Sequence, residues 1–450
     1  LTVITGVSGS GKSTLVEHVL YPTLKGKKAT GCEAYHGKLL KPVLVDQNPI
    51  GRNPRSNPAT YTKLSDLLRE LYARVSGLTV SHFSFNRPEG ACPVCKGMGA
   101  VEVKMQYLYS FWIPCEDCEG MRFNEQVLNT RILFDDRLYS IADFYRLSIS
   151  EASELLKREN RLPENRLNGA RRILRALTDV GLGYMELGQP SPTLSGGEAQ
   201  RVKLTRYLGR KMLKDQLLIL DEPSTGLHPQ DLDGLLVVLD RLVSAGATIV
   251  LVEHNLDLIR AADWIIDLGP GAGPEGGQLL FSGPANRLID IENSRTGQAL
   301  RDESAEVIFS DHEQDSISRT DVIQILKARA NNLLDVDVEI PKGMLTAVTG
   351  LSGSGKSSLV KDVLEAEAHR RYLESLSMYE RQGTHEGAEA PVDSISGLGV
   401  TLTVSGLQTH RWSALSHFTR RASVGKVSEL SHHLAVLVAE LGERTCPVSY

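Results

Sequence analysis

The strongest chemical signal in this sequence is the run Gly6-Val7-Ser8-Gly9-Ser10-Gly11-Lys12-Ser13, followed by Thr14, which fits GxxxxGK[ST]. Its glycines let consecutive backbone N–H groups turn toward phosphate oxygens, and the start of the following helix adds the positive end of its dipole. Lys12 would reach the β- and γ-phosphates, and the Ser13 hydroxyl would ligate Mg²⁺. A glycine turn without function has the same composition, but a β-branched stretch before the run and a helical pattern after it favour a phosphate loop. The stretch Thr2–Ser13 then returns as Thr346–Ser357, with Gly350, Gly353, Gly355, Lys356 and Ser357 at matching places and Ser358 after them. A repeat of this kind marks two nucleotide-binding units, one nearly complete and one only opened.

Two further patterns suit phosphoryl chemistry. Leu217-Leu218-Ile219-Leu220-Asp221-Glu222 is an apolar strand that ends in two carboxylates. Asp221 is placed to hold magnesium and Glu222 to polarise the attacking water. Acidic strand ends are common, so this pattern gains weight only from its surroundings. Leu194-Ser195-Gly196-Gly197-Glu198-Ala199-Gln200 opens a helix. Ser195 and the amides of Gly196 and Gly197 make an anion site at a helix N-terminus, although an ordinary serine cap uses the same residues.

Cys92-Pro93-Val94-Cys95 and Cys115-Glu116-Asp117-Cys118 are CxxC pairs separated by 19 residues. That spacing suits a tetrahedral, structural Zn²⁺ site with no open position for catalysis; the competing reading is paired redox thiols. Between and beside the pairs lie Lys96, Lys104, Tyr107, Tyr109, Phe111 and Trp112, where basic and aromatic residues interleave as on nucleic-acid surfaces. The aromatics serve equally well as packing for a small zinc module. Upstream, Arg52 and Arg55 lie in a turn-rich stretch, residues 51–58, that suits phosphate contact or a solvated loop.

The elements that must position these groups are legible. Strands are expected at Pro42–Val45, Leu217–Leu220, Thr248–Val252 and Trp264–Leu268, and helices at Ala199–Leu208, Asp231–Ala245 and Ser358–Leu376. Alternating strands and helices predict a parallel, helix-covered α/β sheet. Residues 290–320 turn polar and acidic, as a linker does. The chain has 450 residues, 41% of them hydrophobic and 23% charged, which allows two or three soluble domains. A net charge of -5 excludes a globally basic nucleic-acid binder but not a local basic surface. No apolar run approaches the roughly 20 residues of a membrane span. Cysteines in CxxC pairs suit a reducing, cytoplasmic setting. The start on Leu1 and the stop at Tyr450 read as cuts in a longer protein.

Together these residues resemble the UvrA family of ATP-binding cassette (ABC) ATPases, which recognises damage in bacterial nucleotide excision repair. The resemblance rests on residues 6–13, 46–47, 54–61 and 83–86, the four cysteines, residues 194–200, 221–228, 253–257 and 267–270. It implies an ABC ATPase core in two parts, residues 1–75 and 191–289, with a zinc-binding signature subdomain inserted at 76–190. A linker at 290–320 and the start of a second ABC unit at 321–450 follow. It places Gln47 as the residue sensing magnesium and water and His254 as the switch histidine at the γ-phosphate. Lys96, Lys104, Arg52 and Arg55 become candidate DNA contacts. ATP, Mg²⁺ and Zn²⁺ are the implied cofactors. Damaged double-stranded DNA, a UvrB-like protein and a facing ABC unit, intramolecular or from a second copy, are the implied partners. A role in resistance to DNA-binding drugs is the alternative. The second unit, with residues 370–377 and 397–398, resembles the start of the family's N-terminal half, so the order is inverted. Its glutamine is out of register, Gln408 being nearest, and Cys446 has Ser449 where a CxxC partner would stand.

Overall fold

The computed structural model describes residues 1–27, 31–51, 53–103, 111–134, 136–208, 212–302, 322–351, 353–375, 390–399, 401 and 430–441. The first unit is built on a six-stranded sheet. Its strands in chain order are β1 (Thr2–Gly6), β2 (Lys41–Val45), β7 (Gln216–Asp221), β8 (Thr248–Val252), β9 (Trp264–Gly269) and β10 (Gln278–Gly283); β3 to β6 form two hairpins in the insertion. The spatial order is β10-β9-β1-β8-β7-β2, with only β10 antiparallel.

The strands are apolar along their length because helices cover both faces. Successive residues point to opposite sides. Val3, Leu218, Leu220, Ile249 and Leu251 enter one core, while Ile4, Leu217, Ile219, Val250 and Val252 enter the other. Helix Gly196–Leu208 and helix Pro229–Ser244 lie near the expected positions.

The larger core does not break at residue 75. It runs on through Leu64, Leu68, Leu71 and Tyr72 to Phe83, Phe85, Phe123 and Phe144. Tyr72, on helix Leu64–Ser76, packs edge-on against Phe144, and its hydroxyl donates to the Tyr139 carbonyl at 2.7 Å. That helix therefore packs as part of the insertion. The insertion also holds hairpin β3–β4 (Ala100–Val103 with Phe111–Pro114) and hairpin β5–β6 (Arg131–Phe134 with Arg137–Ser140).

Two expectations change. The polar stretch after residue 290 starts with helix Arg295–Asp302, whose Leu300 is buried against the first unit. In the second unit, Thr346–Gly350 repeats the sequence of β1 but is not a strand. A strand needs ladder partners, and β1 has β8 and β9 on its two sides. Among the described residues the second unit offers no such pair, so Leu345 is fully exposed and Val348 is 42% exposed. What it has is an antiparallel sheet of β11 (Val322–Ala328), β12 (Val336–Pro341) and β13 (Ser394–Ser396), with helix Ser358–Ser375 behind it in two parts.

Candidate nucleotide site and zinc module

The carboxyl ends of β1, β2, β7 and β8 meet at one edge, the place where open α/β sheets bind ligands. Register fixes the meeting: Ile4 and Asp221 both pair with Val252, and Val45 pairs with Leu220. The site groups lie at or just past these ends: Gly6–Ser13 from the end of β1, Gln47 after β2, Asp221 and Glu222 at the end of β7, and His254 after β8. Gly6 has φ 133°, and a Cβ there would lie 2.0 Å from the Leu268 carbonyl oxygen, so only glycine fits. Ser8, Gly9, Ser10 and Gly11 carry the loop to Ser13, where the helix starts with Thr14. Lys12 Nζ donates to the carbonyls of Gly6 at 2.8 Å and Val7 at 2.9 Å. Lys356 repeats this on Gly350 at 2.7 Å and Leu351 at 2.6 Å. Burial lowers the Lys12 pKa, opposed by Glu222, Asp221 and Asp267.

Asp221 Oδ1 is buried and has no hydrogen-bond partner among the described residues. Burial, then Glu17, Glu222 and Glu253, push its carboxyl up to about 6. An orphaned carboxylate oxygen with Glu17, Glu222 and Glu253 around it fits a divalent cation. Glu222 follows in a left-handed turn with φ 44°, its amide held by the Val252 carbonyl at 2.9 Å. Its Oε1 lies 3.8 Å from His254 Nδ1, and both side chains are open to solvent. Gln47 Nε2 reaches the carbonyls of Glu222 at 3.3 Å and Asp221 at 3.4 Å. The structure thus brings Lys12, Gln47, Asp221, Glu222 and His254 together.

Two supporting residues were not singled out from the sequence. Gln200 is fully buried, and its Nε2 bridges the carbonyls of Val45 at 2.8 Å and Asp221 at 3.0 Å, tying the ends of β2 and β7. Glu253 is also fully buried; it accepts from the amides of Ser224, His254 and Asn255 at 2.8, 3.0 and 3.2 Å. It fixes both loops that carry Glu222 and His254. The sequence signal was weak in each case, Gln200 lying in a polar stretch and Glu253 just past the end of an apolar strand.

Ser195 and Glu198 form a reciprocal cap: Glu198 N donates to Ser195 Oγ at 3.3 Å and Ser195 N to Glu198 Oε2 at 2.8 Å. Gly196 and Gly197 are buried, and a Cβ on Gly197 would meet the Thr225 carbonyl oxygen at 2.7 Å. Tyr184 Oη donates to the other oxygen of Glu198 at 2.6 Å. The ring of Tyr184 lies against Gly353, where a Cβ would come within 2.6 Å of it. The signature segment of the first unit therefore lies beside the second phosphate loop, which also contains Gly355, Lys356, Ser357 and Ser358. Among the described residues no signature segment faces Lys12.

The four sulfurs of Cys92, Cys95, Cys115 and Cys118 lie within 4.8 Å of one another and are buried. Cys92–Cys115 and Cys95–Cys118 are 3.9 and 3.7 Å apart. A tetrahedral zinc–thiolate site with Zn–S of about 2.3 Å requires about 3.8 Å. A disulfide requires about 2 Å between sulfurs. Amides of Gly99 and Arg122 donate to Cys95 and Cys118, both at 3.3 Å. The cluster thus fits a structural metal better than a redox pair. Arg55 Nη2 donates to the Lys96 carbonyl at 2.6 Å, which gives it a bracing role between the loop and the module. The Lys96 side chain is exposed. Arg52, Lys104, Tyr107, Tyr109, Gln408 and Cys446 lie outside the described residues.

No protein-family profile matches the chain. It is 46% identical over 310 residues to UvrABC system protein A of Thermus thermophilus, covering 66% of this chain and 31% of that protein. Against the Aquifex aeolicus protein of the same name the identity is 44% over 315 residues, covering 66% and 32%. The chain thus spans about a third of the length of these relatives. The crystal structure of UvrA2 from Deinococcus radiodurans matches with a TM-score of 0.60 at 42% identity, covering 67% of this chain and 36% of that one.

The Asp221 geometry predicts a pH effect. Its folded pKa is raised, so the ionised form is the costly one, and without cation stability falls as pH rises from about 4 to about 6. A bound divalent cation reverses this, because it needs the ionised form. Calorimetric titration with magnesium and nucleotide should therefore show affinity falling as pH drops through about 6, a dependence that Asp221→Asn removes. An unchanged pH profile in that variant would contradict the assignment.

Proposed function

We propose, on the premise that this chain belongs to the UvrA family over the two thirds that align, that it binds and hydrolyses ATP and couples this to gripping damaged DNA in nucleotide excision repair. The observation that carries this reading is the convergence of Lys12, Gln47, Asp221, Glu222 and His254 at one sheet edge of a core that also holds a four-cysteine module.

The amides of residues 6–13 and the Lys12 amine would hold the phosphates, with Ser13 and Asp221 as ligands for Mg²⁺, whose charge offsets that of the phosphates. Glu222 orients the attacking water and accepts its proton. Gln47, fixed on the backbone of Asp221 and Glu222, would help hold the same water, and His254, 3.8 Å from Glu222, would contact the γ-phosphate. Ser195 and Gly197 present the anion site of the facing unit. The four cysteines would hold a structural Zn²⁺ and so fix the shape of the surface that carries Lys96. Contacts of this kind go to the DNA backbone, so damage would be read through the ease of deforming the duplex. No helix among the described residues is long and apolar enough to cross a membrane.

Glu222→Gln should lower ATP turnover by roughly 10²- to 10³-fold while leaving nucleotide binding intact. The unvaried rate should respond to DNA and differ between intact and lesion-bearing duplex. A Glu222-dependent rate indifferent to both duplexes would retain the ATPase and remove the repair role. Stripping the zinc with a chelator should release one ion per chain and lower the melting temperature by several degrees, with nucleotide binding at Lys12 preserved. Metal analysis that finds no zinc would contradict the structural site.

A further inference from the structure

The first phosphate loop is held from outside by a second layer of backbone. Its amides face inward toward phosphates, so its carbonyls face outward and need donors. Gly273 N donates to the Gly9 carbonyl and Gly277 N to the Ser10 carbonyl, both at 3.1 Å. The fit is tight: a Cβ on Gly276 would meet Ser10 Cα at 3.1 Å, and one on Gly9 would meet Ala272 Cβ at 3.0 Å. This glycine turn follows β9, and β9 pairs with β1 at Thr5↔Asp267 and Gly6↔Leu268.

Asp267 is 1% exposed. Its Oδ2 accepts from Ser294 Oγ at 2.6 Å and its Oδ1 from Thr296 Oγ1 at 3.4 Å. Thr296 Oγ1 also lies 3.2 Å from Thr5 Oγ1 on β1. Ser294 Oγ accepts from the Gly297 amide at 2.8 Å, which caps helix Arg295–Asp302. The Asp267 carboxylate thus ties β9 to the helix that precedes the second unit in sequence, and Thr296 ties that helix to Thr5 on β1, the strand that carries the phosphate loop. The second phosphate loop is held differently, with Asn332 Nδ2 donating to the Gly353 carbonyl at 2.7 Å.

We propose that Asp267, with Ser294 and Thr296, is a positioning group for the first phosphate loop, and that ATP at Lys12 and the order of helix Arg295–Asp302 are coupled through it. This rests on the reading that the loop binds ATP. Coupling is reciprocal: whatever holds the helix in place tightens the nucleotide, and the nucleotide tightens the helix. Burial raises the pKa of Asp267, opposed first by its bonds to Ser294 and Thr296, which is the balance of a carboxylate that depends on those two donors.

The test uses the whole chain carrying Lys356→Ala, so that only the first site reports. Binding of a fluorescent ATP analogue with magnesium is measured beside amide hydrogen exchange of residues 294–302, with and without ATP. ATP should slow exchange in that segment. Asp267→Asn, and separately Ser294→Ala with Thr296→Val, should weaken binding roughly tenfold and abolish the ATP-dependent protection. Thr296→Ser keeps the hydroxyl and should keep wild-type affinity. A merely structural role would lower the melting temperature yet leave the affinity of the folded fraction and its exchange response unchanged, and that result overturns the proposal. If the Lys356→Ala chain with Asp267 intact binds no nucleotide, the ATP reading falls, and this inference with it.

Discussion

The structure depends on the register of one parallel sheet. Ile4 and Asp221 share Val252 as their ladder partner, and Val45 lies beside Leu220, so four strands end in the same row. The chemical groups are Asp221 in that row and the residues that follow the strand ends. A shift of one residue in β7 would turn Asp221 to the opposite face and remove its carboxylate from Lys12. Because these strands are apolar on both faces, alternation alone does not set the register; Gln200, bonded to the Val45 and Asp221 carbonyls, fastens the ends of β2 and β7.

Much of the site was legible because its signals are local. A phosphate loop is a strand, a glycine turn and a helix in one stretch of chain, and both copies could be read directly. The four-cysteine module is equally local, since each CxxC turn builds half of it. What was not legible depends on residues distant in sequence. Arg55 reads as a phosphate contact or part of a solvated loop, and its bond to the Lys96 carbonyl is not visible in the sequence. Asp267 reads as the end of a strand until Ser294 and Thr296 return to it. Thr346–Gly350 has the sequence of a strand, yet strand structure is a property of neighbours, and β8 and β9 belong to the first unit. The buried face of helix Leu64–Ser76 meets Phe83 and Phe144, a contact that sequence periodicity does not reveal.

The two nucleotide-binding units are incomplete in complementary ways among the described residues. The first has the acidic strand, the glutamine and the histidine but no signature segment opposite Lys12. The second has a phosphate loop beside Tyr184 and the Ser195–Glu198 cap, but no acidic strand. Each half-site presents charged groups that gain most when the facing surface excludes water. On the proposed reading, binding and turnover are separable: the first unit holds the groups proposed to bind ATP, while hydrolysis would require a signature segment from outside it.

That separation is tested most directly by mixing two inactive chains. Lys12→Ala removes the phosphate lysine but keeps Ser195, and Ser195→Ala does the reverse. ATP turnover of each alone and of the mixture, measured over a range of protein concentrations, decides the matter. The account predicts low turnover for each alone and a gain in the mixture that grows with concentration, because one copy's Ser195 completes the other's Lys12 site. Full turnover by Ser195→Ala alone, at a rate per chain independent of concentration, would contradict it.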